Sequence, residues 1–74
     1  MYPNLELEMV RANITGAQLA KASNMSEGTF SAKRNRKKTA IGERFFTLDE
    51  AATIQKTLRS KLSIDKLFEW KDED

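Results

Sequence analysis

The sequence contains no cysteine and no histidine. Without cysteine there is no disulfide framework and no thiolate metal site, and a reducing compartment suits the chain. Without histidine the commonest general base and the commonest zinc ligand are both missing. No apolar run approaches the roughly 18 residues that a membrane span needs, and the N-terminus lacks a charged-then-apolar leader pattern. A soluble, intracellular protein is expected. The sequence shows no internal repeat and no low-complexity segment. Its 74 residues suffice for one domain, which we place at 1–70, with 71–74 as a frayed acidic tail. The carboxylates do not supply the chemistry that histidine and cysteine withhold. Asp49 and Glu50 read as helix-start residues rather than a catalytic pair, and Asp72, Glu73 and Asp74 as an acidic end rather than a cation site. No catalytic residue, metal or cofactor is expected, and the chain does not read as an enzyme.

Charge is unevenly placed. Residues 1–61 carry 11 Lys/Arg against 6 Asp/Glu, whereas residues 62–74 carry 2 against 5. The densest basic stretch is Lys33, Arg34, Arg36, Lys37 and Lys38, with Arg44 beyond. Such clusters are attracted to phosphate backbones, and a solvated polar loop is the plainer alternative.

Helix signals dominate. Pro3 and Asn4 open a first helix, Asn4 being read as its cap. Leu5, Met9 and Val10 are assigned to its inner face, Leu7 lies off that stripe, and Asn13 stops the helix before Ile14 plugs the joint. Thr15 and Gln18 form a Thr-x-x-Gln capping box that starts a helix over 15–22, with Leu19 and Ala20 inward. Ser23-Asn24 breaks it, because short polar side chains compete for backbone hydrogen bonds and Asn tolerates the left-handed conformation. Ser26 caps the next helix, over 26–34. There Glu27 complements the helix dipole and Phe30 faces inward. Residues 35–46 read as a loop, with a hairpin around Gly42-Glu43 as the alternative. Thr47-x-x-Glu50 is a second capping box, opening a helix with Leu48, Ala51, Ile54 and Leu58 on one side. Ser63 caps a last short helix with Ile64, Leu67 and Phe68. The expected core is Leu5, Met9, Leu19, Phe30, Leu48, Ile54, Leu58, Leu67 and Phe68. Helices this short are marginal in isolation, so packing must hold them.

Two short helices, each opened by a capping hydroxyl and joined by a tight turn, describe a helix-turn-helix. Ala20, a small residue, falls where the two helices approach closest. The ordered series Tyr2-Pro3-Asn4-Leu5, Ile14-Thr15, Gln18-Leu19-Ala20, Met25 through Ser31, Asn35, Phe46 through Ala51 and Leu62 through Phe68 resembles the lambda-repressor-like helix-turn-helix family. It is most similar to the short repressor and Cro-like proteins of phages and prophages of Gram-positive bacteria, and the resemblance spans roughly residues 2–69. It implies an all-α, compact five-helix domain in the cytoplasm of a bacterial host. The third helix of such a domain lies in the major groove of operator DNA. Carried over by position, Glu27, Gly28, Ser31 and Ala32 fall where the family meets bases, and Gly16, Gln18, Asn35 and Lys37 where it grips phosphates; Ser26 is a further candidate for base contact, with its role as a cap the plainer alternative. Lys33 and Lys38 join that grip by their charge.

The sequence also departs from the family. Gly16 replaces the usual phosphate-binding Gln. Ser23 stands where an apolar residue is usual, and Arg36 where Gly often ends the third helix with positive φ. The loop after Asn35 is several residues longer. The reading face offers no bidentate Arg–guanine or Asn/Gln–adenine pair; Glu27 can accept from cytosine N4 and Ala32 can touch a thymine methyl. Two functions therefore stand: a Cro-like repressor, acting on DNA as a homodimer if it follows the family, or an antirepressor that binds a phage repressor. For the second, Phe30 and Trp70 are the candidate contact residues. Trp70 alternatively folds back on the core.

Overall fold

The computed structural model describes residues 1–36 and 45–72. Five helices follow one another: α1 (Pro3–Ala12), α2 (Gly16–Ala22), α3 (Glu27–Arg34), α4 (Leu48–Leu58) and α5 (Ile64–Leu67), with no strand among the described residues. The hairpin alternative for the segment after Asn35 lies mostly outside the described residues, as do Lys37 and Lys38.

The expected boundaries of α2 and α3 hold to within one residue, because caps define both starts. The Thr15 hydroxyl accepts from the Gln18 N–H at 3.2 Å while the Thr15 N–H donates to Gln18 Oε1 at 2.8 Å, closing the capping box. The Ser26 hydroxyl accepts from the Thr29 N–H at 3.1 Å. The Thr47–Glu50 box forms in the same way. Two cap assignments need correction. Tyr2, not Asn4, is the α1 cap residue, since Pro3 sets the first helical position. Asn4 instead donates to the carbonyl of Lys66 at 2.8 Å, tying α1 to α5. Ser63 occupies the cap position of α5 but makes no side-chain cap bond. Stops in α1 and α4 are left-handed residues, Asn13 at φ 55° and Arg59 at φ 51°, and Asn24 turns the α2–α3 joint at φ 58°. Arg36 takes φ 51° directly after α3, the conformation expected where a glycine is usual.

Leu5, Met9, Leu19, Phe30, Ile54, Leu58 and Leu67 are buried as expected, joined by Tyr2, Ala20 and Ala51. Phe68 is only partly buried, packed against the core cluster. Two assignments to the inner face are wrong for geometric reasons. Val10 is 80% exposed: five residues past Leu5 it has rotated about 140° around the helix. Leu48 is 73% exposed: two successive three-residue steps set it about 120° from Ile54. Trp70 folds back. Its ring meets Tyr2 edge-on at 4.9 Å and stacks with the Arg36 guanidinium at 4.3 Å. Tyr2 also touches Phe46 and Phe68, each at 5.8 Å. An aromatic cluster thus closes the end of the core where α1, the exit of α3 and the C-terminal segment converge.

Candidate functional site

The α2–α3 unit carries most of the residues singled out from the sequence. Capping fixes where α3 begins; two buried side chains and one half-exposed arginine fix how it sits. Phe30 is 2% exposed and its ring lies 5.6 Å from Phe46. A residue so deep in the core cannot meet a partner surface, so Phe30 is a structural anchor and not an interface residue. Lys33 is 6% exposed, and its Nζ lies 2.7 and 2.9 Å from the two carboxylate oxygens of Glu50 on α4. This overturns its assignment to a phosphate grip: three residues past Phe30, it shares the buried face, and its charge is consumed inside the protein. Arg34 reaches back to α1 and pairs with Glu6 through two parallel N–H donors, Nε to Oε1 at 2.6 Å and Nη2 to Oε2.

The opposite face of α3 is open. Glu27, Gly28, Ser31 and Asn35 are exposed and follow one another at spacings of one, three and four, a single strip along the helix. Ser26 is exposed at its start, although its hydroxyl is engaged in the cap and donates to Thr29 Oγ1 at 2.9 Å. Ala32 is half-buried at the strip's edge, which weakens its candidacy for base contact. A Cβ placed on Gly28 would meet nothing within 4 Å, so the glycine is not required by packing and leaves bare backbone on the surface. Asn35 binds its own helix, donating from Nδ2 to the Ser31 carbonyl at 2.9 Å.

At the start of α2, Gln18 spends its carbonyl oxygen in the capping box, which leaves its Nε2 donors pointing out of that bond. Gly16 is half-buried. A Cβ there would lie 3.3 Å from Arg34 Nη1 and 3.3 Å from Phe30 Cε2, so the missing side chain makes room for the arginine. Sequence reasoning missed the Arg34–Glu6 and Lys33–Glu50 pairs because both link helices distant in the chain. The clue available was the placement of Lys33 and Arg34 three and four residues after an inward phenylalanine.

Electrostatics follow from these pairings. Of the three cations on α2 and α3, only exposed Lys21 is outside the ion pairs among the described residues. Glu50 is held below the usual carboxylate range. Burial pushes it up, but the Lys33 ammonium and the Thr47 backbone N–H together outweigh that effect. Among the described residues no group of three acidic, histidine or cysteine side chains converges as a metal site, and no helix is long and apolar enough to cross a membrane. Ser23 carries a buried hydroxyl with no hydrogen-bond partner among the described residues.

Compared with protein-family models, with curated proteins and with solved structures, the chain finds no match in any of the three.

Proposed function

We propose that the chain is a DNA-binding transcriptional regulator of the Cro-like phage type, with α2 and α3 as a helix-turn-helix and α3 as the helix that enters the major groove. The reading rests on one observation. The strip Glu27, Gly28, Ser31 and Asn35 is exposed along α3 while Phe30, Lys33 and Arg34 bind the same helix to the rest of the domain. A rigidly held helix with small side chains outward can lie deep in a groove about 12 Å wide. Glu27 can accept from cytosine N4 and the Ser31 hydroxyl can pair with several base edges, so direct readout is sparse. Phosphate contacts from Gln18, Lys21 and the basic segment that includes Lys37 and Lys38 supply most of the affinity in this reading. A bacterial cytoplasm and a homodimer on a palindromic operator complete it.

A second reading is favoured by the internal use of Lys33 and Arg34. With both paired, the outer strip of α3 carries Glu27 as its sole formal charge, and such a surface can meet a partner repressor instead of DNA. A gel-shift on the DNA upstream of its own coding sequence, with and without the neighbouring repressor and at two salt concentrations, separates the two. The first reading gives a shift by the chain alone that weakens steeply with salt. The second gives no shift alone and a loss of the repressor's own shift on addition.

A further inference from the structure

We propose that Arg34 contacts a phosphodiester of the DNA backbone, aimed by the space above Gly16 and held in check by Glu6; this rests on the DNA-binding reading. Arg34 is the last residue of α3, and its side chain crosses the start of α2 to reach α1. Nε and Nη2 are committed to the Glu6 carboxylate. That arrangement uses one edge of the guanidinium and leaves Nη1 on the other. Guanidinium has five N–H donors, and Nη1 has no hydrogen-bond partner among the described residues. Nη1 lies where a side chain at position 16 would have to pass, 3.3 Å from the Cβ that Gly16 lacks.

The surroundings fit a phosphate better than a purely internal tie. Both side chains are about one-third exposed, 31% for Arg34 and 33% for Glu6. The pair is therefore open to water on one side and not sealed inside the fold. The bare position 16 leaves room for both the Phe30 ring and the guanidinium, since a Cβ there would lie 3.3 Å from each. Glu6, Val10, Thr15, Gly16 and Arg34 line an open cleft between α1 and α2. The free guanidinium edge can meet a phosphate oxygen there without releasing Glu6. The planar fork of arginine matches phosphate oxygens. The negative charge of Glu6 opposes the incoming phosphate, and a Gln at that position removes the charge while its amide oxygen can still accept from the guanidinium.

The test compares the intact chain with Arg34→Gln and Glu6→Gln by fluorescence anisotropy. The probe is a labelled duplex of the DNA upstream of the coding sequence, titrated across a salt series, with thermal unfolding measured in parallel. Both substitutions break the same ion pair, and the parallel unfolding curves separate a loss of folded chain from a loss of DNA contact. Arg34→Gln is expected to weaken binding and to lower the slope of log K against log salt by about 1. Glu6→Gln is expected to leave the slope unchanged and to tighten binding. An unaltered slope in Arg34→Gln beside clear binding by the intact chain overturns the assignment of Arg34 alone. Weaker binding by a folded Glu6→Gln also overturns it, because the pair would then act only as a brace. Absence of salt-dependent binding by the intact chain overturns the DNA reading and this assignment with it. Should Arg34→Gln unfold, the sign of the change in Glu6→Gln decides.

Discussion

Removing Glu50 and removing Lys33 should have very different consequences, although the two form one ion pair. Lys33 is the buried partner, with a side chain 7% exposed, while the Glu50 side chain is 20% exposed and also receives the Thr47 N–H at 2.8 Å. Glu50→Gln strands an ammonium in the interior. Breaking a fully buried pair costs about 3–5 kcal/mol. Water reaches one-fifth of Glu50 and the amide oxygen still accepts, so about 2–3 kcal/mol is the reasoned loss here. A domain of this size has a total stability near the lower end of about 5–15 kcal/mol, and the midpoint should fall by roughly 10–20 °C. Lys33→Met removes the desolvated charge and fills the same space, while Glu50 keeps its cap bond and its access to water. That change should stay within about 1 kcal/mol of the parent. Thermal unfolding followed by far-ultraviolet circular dichroism measures both. Acid provides a second handle. The folded-state pKa of Glu50 is depressed, so its contribution is fully present above its unfolded-state value. It is lost as pH falls through the lower folded value, and Glu50→Gln should flatten that part of the stability profile. A Lys33→Met variant as unstable as Glu50→Gln, or a Glu50→Gln variant as stable as the parent, would refute the asymmetry.

Trp70→Ala removes the ring against Tyr2 and Arg36 and should cost roughly 2 kcal/mol, below the 3–5 of a fully buried aromatic because Trp70 is half-buried; urea denaturation measures it. Gly28→Ala meets no neighbouring atom and should raise stability by about 0.5–1 kcal/mol through helix propensity, while weakening DNA affinity if bare backbone must approach the bases; paired unfolding and anisotropy curves check the trade. Ser23→Ala should stabilise the fold by up to about 1 kcal/mol, since it deletes a buried hydroxyl that makes no hydrogen bond, and a destabilised variant in the same urea assay would show that the hydroxyl is satisfied.

Local signals were legible in the sequence wherever one residue type had one role. Thr15, Ser26 and Thr47 marked helix starts because a hydroxyl three residues before a free N–H has few other uses there. Asn13 marked a stop because Asn enters the left-handed region cheaply. Phe30, Leu19 and Ile54 marked the core by helical spacing. What stayed hidden depended on partners far along the chain. Asn4 looked like a cap because its bond to Lys66 spans 62 residues. Lys33 looked like a surface cation because nothing near it in sequence announces Glu50. Tyr2 gave no periodic signal, and its burial comes from Phe46, Phe68 and Trp70 closing around it. Val10 and Leu48 sit at the margins of their stripes, where a rotation of about 120–140° separates core from water. For the candidate site, Glu27, Gly28, Ser31 and Asn35 were reached through the family resemblance and not from spacing, and the diversion of Lys33 and Arg34 into ion pairs was not legible at all.

In the proposed reading the outer strip of α3 meets DNA. Amide chemical-shift mapping of the isotope-labelled chain during titration with the upstream duplex tests it most directly. The largest changes are expected at Glu27, Gly28, Ser31, Ala32 and Asn35, with smaller ones at Gly16 and Gln18, and all of them reduced at high salt. Changes confined to α4, α5 and the Trp70 cluster, with the α3 amides unmoved, would contradict it.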